Sequence, residues 1–339
     1  MHKPFLLAPM AELSHRALRE LIEGFGGCDE YFTEMISAAA LLDGGPFERW
    51  YIDGGPCPEK LVYQLVGSDM GQMAKAASQL DALECMGIDL NMGCCAPLIR
   101  RTGAGIAWME SIDRAGELAK KVRQAVKHRL SVKIRLGFAE DFDYLVRFCR
   151  RLEEEGVDLI ILHPRTASEK LKRTARWGYI GDLRQELSIP VAGNGDISDA
   201  ETLIARANGS QCDAVMVGRA AVRQPWIFAF GKLGMRNEEL GIGSSSLQSS
   251  QVNKTLYPQT TPHFSFLDPP PIFETGLRFL ELLSRYQPVE FHISRARRFF
   301  SYFCDNLKWG TYLKNQLNRE NSLSGMERVW QEHFSESVP

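Results

Sequence analysis

The chain has 339 residues, of which 44% are hydrophobic and 24% charged, enough for a large α/β domain with a sizeable core and a smaller second unit. Its formal net charge of −2 excludes a globally basic nucleic-acid binder, so contact with a polyanion must come from a local patch. No window approaches the roughly 18 consecutive apolar residues that span a bilayer, and the opening Met-His-Lys-Pro-Phe-Leu-Leu-Ala-Pro-Met lacks the apolar run of a signal peptide.

In chain order, short apolar or β-branched runs occupy Phe5–Ala8, Glu30–Thr33, Leu61–Leu65, Gly87–Leu90, Leu130–Ile134, Asp158–Leu162, Ile189–Ala192 and Ala214–Val217. Amphipathic stretches at Ser14–Gly24, Met70–Leu83, Ile112–His128, Asp141–Glu155 and Asp199–Ala207 separate them, with Ser111 and Ser198 as expected helix caps. Eight such units, each strand followed by polar residues, predict a closed (β/α)8 barrel, the TIM barrel, over residues 1–237. An open doubly wound sheet would concentrate its polar residues at one switch point. Residues 238–271 carry Gly-Ile-Gly-Ser-Ser-Ser and Asp-Pro-Pro-Pro and read as a disordered linker. Beyond it, Ile272–Tyr286, Phe291–Leu307, Gly310–Asn318 and Met326–His333 have helical periodicity, giving a small helical domain over 272–339.

Eight cysteines show no C-x-x-C spacing, which fits a reducing, cytoplasmic setting and no disulfide framework or zinc site. Cys94 stands where the chain leaves the fourth of the eight runs, in Asn91-Met92-Gly93-Cys94-Cys95. A lone cysteine is usually an inert buried hydrophobe. At a strand end, a thiol with an ordinary pKa of about 8.5 is protonated at neutral pH and can act as a general acid, or as a nucleophile beside a base. Gly193-Asn194-Gly195-Asp196 and Gly218-Arg219 follow the last two runs, the usual phosphate site of this architecture, and Arg219 adds a cation. The alternative is that these glycines only make tight turns. Lys133 and Gln64 interrupt apolar strands; a buried lysine needs a partner, either a core ion pair or a flavin ring whose reduced form is anionic. Gln64 would then pair with the pyrimidine edge of that ring. His163, beside Arg165, reads as a ligand-binding group.

Together these segments resemble the tRNA-dihydrouridine synthases. The resemblance is carried by Ala8-Pro9-Met10, Thr33-Glu34-Met35, Gln64-Leu65-Val66-Gly67, Leu90-Asn91-Met92-Gly93-Cys94, Gly103-Ala104-Gly105, Lys133-Ile134-Arg135-Leu136-Gly137, His163-Pro164-Arg165-Thr166, Asn194-Gly195-Asp196-Ile197, Gly218-Arg219-Ala220 and Pro225-Trp226-Ile227-Phe228. It implies an FMN-binding barrel followed by a tRNA-binding helical domain, reducing the 5,6 double bond of particular uridines with NADPH as electron donor. It implies Cys94 as the acid that protonates carbon 5, and Asn91 beside the substrate base. It places Pro9, Met10, Ala11, Gln64, Lys133, His163, Asn194, Gly195, Asp196, Gly218 and Arg219 at the flavin, with Arg165 toward the substrate and no metal. A D-loop nucleotide, flipped out of its stack, would reach the barrel mouth more easily than a paired one.

This sequence departs from the family pattern in three places. Cys95 stands where the family has proline, leaving Cys95 as an alternative proton donor; Ala11-Glu12-Leu13-Ser14-His15 replaces the usual segment after Pro9-Met10; and the linker is longer. In the helical domain, Arg295 and Arg298 lie three apart on one helix face beside Phe299, Phe300 and Tyr302, a composition suited to phosphate contact and base stacking, the aromatics serving equally as core. The competing readings are a small-molecule FMN barrel of the dihydroorotate-dehydrogenase kind and a catalytically inactive RNA-binding relative.

Overall fold

The computed structural model describes residues 3–169, 172–239 and 271–335. Nine parallel strands form one sheet in the order β2-β1-β9-β8-β7-β6-β5-β4-β3. They are β1 Phe5–Leu7, β2 Glu30–Phe32, β3 Ile36–Ser37, β4 Leu61–Val66, β5 Gly87–Met92, β6 Arg129–Arg135, β7 Leu159–His163, β8 Val191–Asn194 and β9 Ala214–Val217. A further pairing of β2 with β4 closes the ring, so eight strands make a TIM barrel and the two-residue β3 is an outlying addition on β4. The expected eight runs are all present; β3 is too short to show any periodicity in the sequence.

Alternation along each strand separates two apolar layers. Leu6, Phe32, Val62, Leu159, Ile161, Ala192, Ala214 and Met216 pack together inside the barrel, whereas their neighbours Phe5, Leu7, Leu61, Ile160 and Val215 pack with the main outer core. On β4, β5 and β6 the same alternation continues with polar residues. Gln64, Asp89 and Ser131 share one register level, and Asn91 and Lys133 share the level above. The barrel lumen is therefore apolar on one side and hydrogen-bonding on the other.

The helices begin close to where the sequence places them: Arg16–Glu23, Met70–Asp81, Ile112–Ala125, Phe142–Glu154 and Ala200–Gly209. Ser111 caps its helix by accepting from the Arg114 N–H at 3.3 Å, as expected. Ser198 does not cap: Asp199 does, accepting from the Thr202 N–H at 2.8 Å in a reciprocal capping box, and the Ser198 hydroxyl donates to Asp199 instead. The helix Gly178–Glu186 was not anticipated; its N-cap, Trp177, offers no side-chain hydrogen bond and so gives no start signal.

The helix Ile227–Glu239 ends the barrel segment, and 240–270, most of the expected linker, lies outside the described residues. The helices that follow, Ile272–Tyr286, Val289–Phe303, Gly310–Leu317 and Leu323–Ser335, surround a core of Phe279, Phe299, Phe300, Phe303 and Trp330. Phe279 and Phe299 stack with centroids 3.7 Å apart. Phe299 and Phe300 are thus core residues, and of the aromatics flagged there only Tyr302 faces outward, lining a cavity. Among the described residues no helix is long and apolar enough to cross a membrane.

Candidate active site

The strand ends on the C-terminal face surround a cavity of about 430 Å³, within the range of small-molecule and cofactor sites. Its walls come from most of the ring. Pro9, Met10 and Ala11 follow β1; Asn91 and Cys94 end β5; Lys133 and Arg135 lie on β6; His163 and Arg165 end β7; Asn194, Gly195 and Asp196 end β8; Gly218 and Arg219 follow β9. Met35, from the loop after β2, and Arg298 and Tyr302, from the helical region, complete the wall.

Electrostatics make this a site for an anion. Burial first, and nearby Arg135 second, draw the Lys133 ammonium down to about 8. Its Nζ donates to Asn194 Oδ1 at 3.1 Å, and the Asn194 amide donates in turn to the Met216 carbonyl at 2.8 Å. His163 is held far below its ordinary value, at about 2, first by burial and then by Lys133, Arg135, Arg165 and Arg219. The imidazole is neutral, and its Nε2 accepts from the Arg165 guanidinium at 2.8 Å. Arg165, buried, also pairs with Asp196 Oδ1 at 2.5 Å and donates to the Arg173 carbonyl. Asp196 further accepts from the Ala175 N–H at 2.6 Å. Arg165 therefore organises the wall more than it offers a free cation to substrate.

The Asn194–Asp196 turn has a conformational reason for its glycine. Gly195 has φ +126°, and a Cβ there would lie 2.9 Å from Ala175 Cβ and 3.0 Å from His163 Cδ2. Asp196 follows at φ +50°, which a short acidic side chain tolerates.

Cys94 and Cys95 face different surroundings. Cys94 lines the cavity. The Cys95 thiol donates to the Gly93 carbonyl at 3.4 Å and packs against the core, where burial raises its pKa. Asn91 Oδ1 accepts from the N–H groups of Gly93 (3.2 Å) and Cys94 (2.9 Å), and the Cys94 carbonyl accepts from Ile106 N–H at 3.0 Å.

Two expected site residues lie elsewhere. Gln64 is fully buried below the cavity and does not line it; its amide donates to Asp89 Oδ2 at 2.7 Å and accepts from Asn91 Nδ2 at 2.8 Å. Strand alternation places it on the lumen face, one register level below Asn91 and Lys133. Arg295 is only 2% exposed. Its guanidinium pairs with Glu34 Oε2 at 2.8 Å, bonds Gln287 and lies over the Phe291 ring at 4.6 Å, and it does not line the cavity. Arg298, one turn on, is exposed, and its guanidinium lies 5.7 Å from the Tyr302 ring at the cavity wall.

Sequence reasoning missed Met35, Tyr302 as a wall residue, and Glu34, whose other oxygen accepts from the Glu12 N–H at 2.5 Å. Glu12 has φ +63°, and that hydrogen bond holds this left-handed turn. The signal was a glutamate directly after a buried strand.

The chain matches the family model described as dihydrouridine synthase over residues 6–259. A probable tRNA-dihydrouridine synthase of Aquifex aeolicus is 35% identical over 228 residues, 66% of this chain and 71% of that protein. A probable tRNA-dihydrouridine synthase of Rhodobacter capsulatus is 33% identical, covering 67% of this chain and 70% of that one. The tRNA-dihydrouridine synthase B of Yersinia pestis is 32% identical, covering 66% and 69%. Among solved structures, histamine dehydrogenase from Rhizobium sp. 4-9 superposes with a TM-score of 0.53 at 14% identity, over 68% of this chain and 46% of that one. A 2-naphthoyl-CoA reductase gives 0.53 at 8% identity, over 68% and 50%. At such identities these two speak for the barrel fold alone.

Proposed function

The chain belongs to the dihydrouridine synthase family, and from that premise we propose that it reduces particular uridines of tRNA to 5,6-dihydrouridine, with FMN as cofactor, NADPH as electron donor and Cys94 as the general acid. The observation that carries the proposal is one cavity walled by both Cys94, in the turn after β5, and Lys133, on the adjacent β6 where it pairs with Asn91.

The cavity fits a flavin mononucleotide in three respects. Its size suits a cofactor. Among the described residues the desolvated Lys133 ammonium has only a neutral amide as its hydrogen-bond partner, and it favours an anionic group. The Gly195–Asp196 and Gly218–Arg219 turns stand at the last two strand ends, the place where this architecture holds phosphate. When bound, reduced FMN would supply the hydride that uracil receives at carbon 6. In this reading Lys133 holds the ring's negative charge, and Pro9, Met10, Ala11, His163 and Asn194 shape its pocket. Arg219 meets the phosphate. Gln64 supports Asn91 from below the cavity. Asn91 orients the uracil beside Cys94, whose S–H bond breaks as its proton passes to carbon 5.

Arg298 and Tyr302 bring the helical region to the wall of the same cavity. That arrangement favours a substrate carried on a polymer over a free pyrimidine: a cation and a ring meet the strand flanking a flipped base. We assign residues 1–237 as the catalytic barrel and 272–339 as the tRNA-binding domain, with a D-loop nucleotide entering between them. The test incubates purified protein with NADPH and either unmodified tRNA or free uridine, and counts dihydrouridine by mass spectrometry. Dihydrouridine in tRNA alone is expected; reduction of free uridine and not of tRNA would contradict the proposal.

A further inference from the structure

We propose that Asp89 is a positioning residue for Cys94, acting through Gln64 and Asn91 to fix the turn that presents the thiol. The inference rests on the reading of Cys94 as proton donor.

Asp89 lies on β5 inside the barrel, fully buried and below the cavity. Its Oδ1 accepts from the Ser131 hydroxyl at 2.6 Å, and its Oδ2 accepts from the Gln64 amide at 2.7 Å. Gln64 Oε1 accepts from Asn91 Nδ2 at 2.8 Å, and Asn91 Oδ1 accepts from the backbone N–H of Cys94 at 2.9 Å. The result is an unbroken chain of hydrogen bonds from the lumen to the cysteine turn.

The chemistry of its ends gives this chain a direction. An ionised carboxylate only accepts, and a backbone N–H only donates. Each amide between them has one accepting and one donating end. Only one orientation of both amides satisfies every link. Turning either one sets N–H against N–H, or oxygen against oxygen, among buried side chains. Burial raises the Asp89 carboxyl only to about 6, so it is ionised at neutral pH and accepts at both oxygens. A carboxylate in this position is otherwise costly, since an apolar side chain would close the lumen without desolvating a charge.

From the far side the turn has little freedom. The Cys94 carbonyl is held by Ile106 N–H, and any Cβ at Gly105 would lie 2.6 Å from that carbonyl oxygen. With its carbonyl fixed there, the Cys94 N–H is aligned by Asn91, and Asn91 is aligned by Gln64 and Asp89.

The experiment compares Asp89→Leu with Asp89→Asn, since asparagine can still offer its oxygen to Gln64 and its amide to Ser131. Two quantities are read on the flavin-loaded protein: kcat and KM for tRNA reduction, and the rate at which iodoacetamide alkylates Cys94, followed by peptide mass with Cys57 as internal reference. For Asp89→Leu, kcat is expected to fall about 10-fold or more, the scale of a sub-ångström to 1 Å misplacement, with KM for tRNA unchanged. The Cys94 alkylation rate should change relative to Cys57, and Asp89→Asn should restore both. Asp89→Ala, which adds no bulk, carries the test if the leucine variant does not fold. Full activity in Asp89→Leu or Asp89→Ala, equal loss in the asparagine variant, or lost activity with unchanged Cys94 alkylation would each overturn the proposal. If Cys94→Ala itself keeps making dihydrouridine, the underlying reading fails; if Cys94→Ala is inactive and Asp89→Leu is not, only the positioning role fails.

Discussion

Lys133 is the residue on which burial and chemistry pull hardest in opposite directions. Its folded-state value, about 8, lies below the ordinary 10.5, so the unfolded chain binds the proton more tightly than the folded one. The resulting penalty is fully present below about pH 8 and fades as pH rises toward 10.5. Lys133→Met, free of flavin, is therefore expected to melt above the parent at pH 7.5, with the gap shrinking by pH 10; thermal denaturation of flavin-free protein checks this, and a gap that grows with pH would contradict it. The same variant should lose affinity for FMN. Lys133 and Cys94 were legible in the sequence because strand alternation and strand ends locate them. Asp89 was not, because an acidic residue within Gly87–Leu90 reads as part of a strand, and only the register shows Gln64 and Ser131 beside it. For Gln64 and Arg295 a sequence shows which residue can donate and not which protein acceptors lie beside it, here Asp89 and Glu34.

At the scale of elements, the segment from Gly93 to Gly105 turns a barrel strand into an active-site wall. The short helix Pro97–Arg101 and the 3-10 turn Gly105–Glu110 fold back so that Ile106 meets the Cys94 carbonyl. Gly105 makes this possible, with φ +60° and no side chain to strike that carbonyl. Gly105→Ala combines a left-handed backbone with a backbone clash, and is expected to lose about 1–3 kcal/mol of stability and to lower tRNA turnover. Urea unfolding beside the tRNA assay measures both; an unaffected alanine variant would mean that the turn is looser than its geometry shows. Pro97 follows two residues after Cys95 and starts the helix, so a proline stiffens the chain just beyond the cysteine turn. The sequence made the long helices plain through their periodicity, while β3 and the helix Gly178–Glu186 escaped for want of length or of a cap.

At the scale of the molecule, the helical region docks on the barrel through buried and half-buried contacts from several barrel segments. Arg295 pairs with Glu34, Arg16 lies 3.9 Å from the Tyr286 ring, Phe303 meets Trp226 at 6.3 Å, and the Asn306 amide donates to the Arg223 carbonyl at 2.6 Å. Glu34 also holds the Glu12 turn beside the cavity, so the same ion pair joins the docking of the helical region to the cavity rim. Removing one partner of so buried a pair leaves the other charge uncompensated. Arg295→Met is expected to cost about 3–5 kcal/mol, and Glu34→Gln made with it should recover part of that loss, as denaturant unfolding would show. Arg298→Ala should instead leave stability nearly unchanged, weaken tRNA binding and reduce its salt dependence. Equal effects of the two arginine variants on salt dependence would contradict the division between a docking arginine and a contact arginine. The closed barrel was readable from eight apolar runs; how the two regions meet was not, because the docking contacts join residues far apart in the chain.

The measurement that bears most directly on the whole account compares Cys94→Ala with Cys95→Ala on one unmodified tRNA, with bound flavin, NADPH oxidation and dihydrouridine each recorded. Cys94→Ala is expected to keep its flavin and its reduction by NADPH yet form almost no dihydrouridine, while Cys95→Ala stays within a few-fold of the parent, as loss of one general acid and of one core thiol should differ. Dihydrouridine formed at normal rate by Cys94→Ala, and lost in Cys95→Ala, would contradict the account.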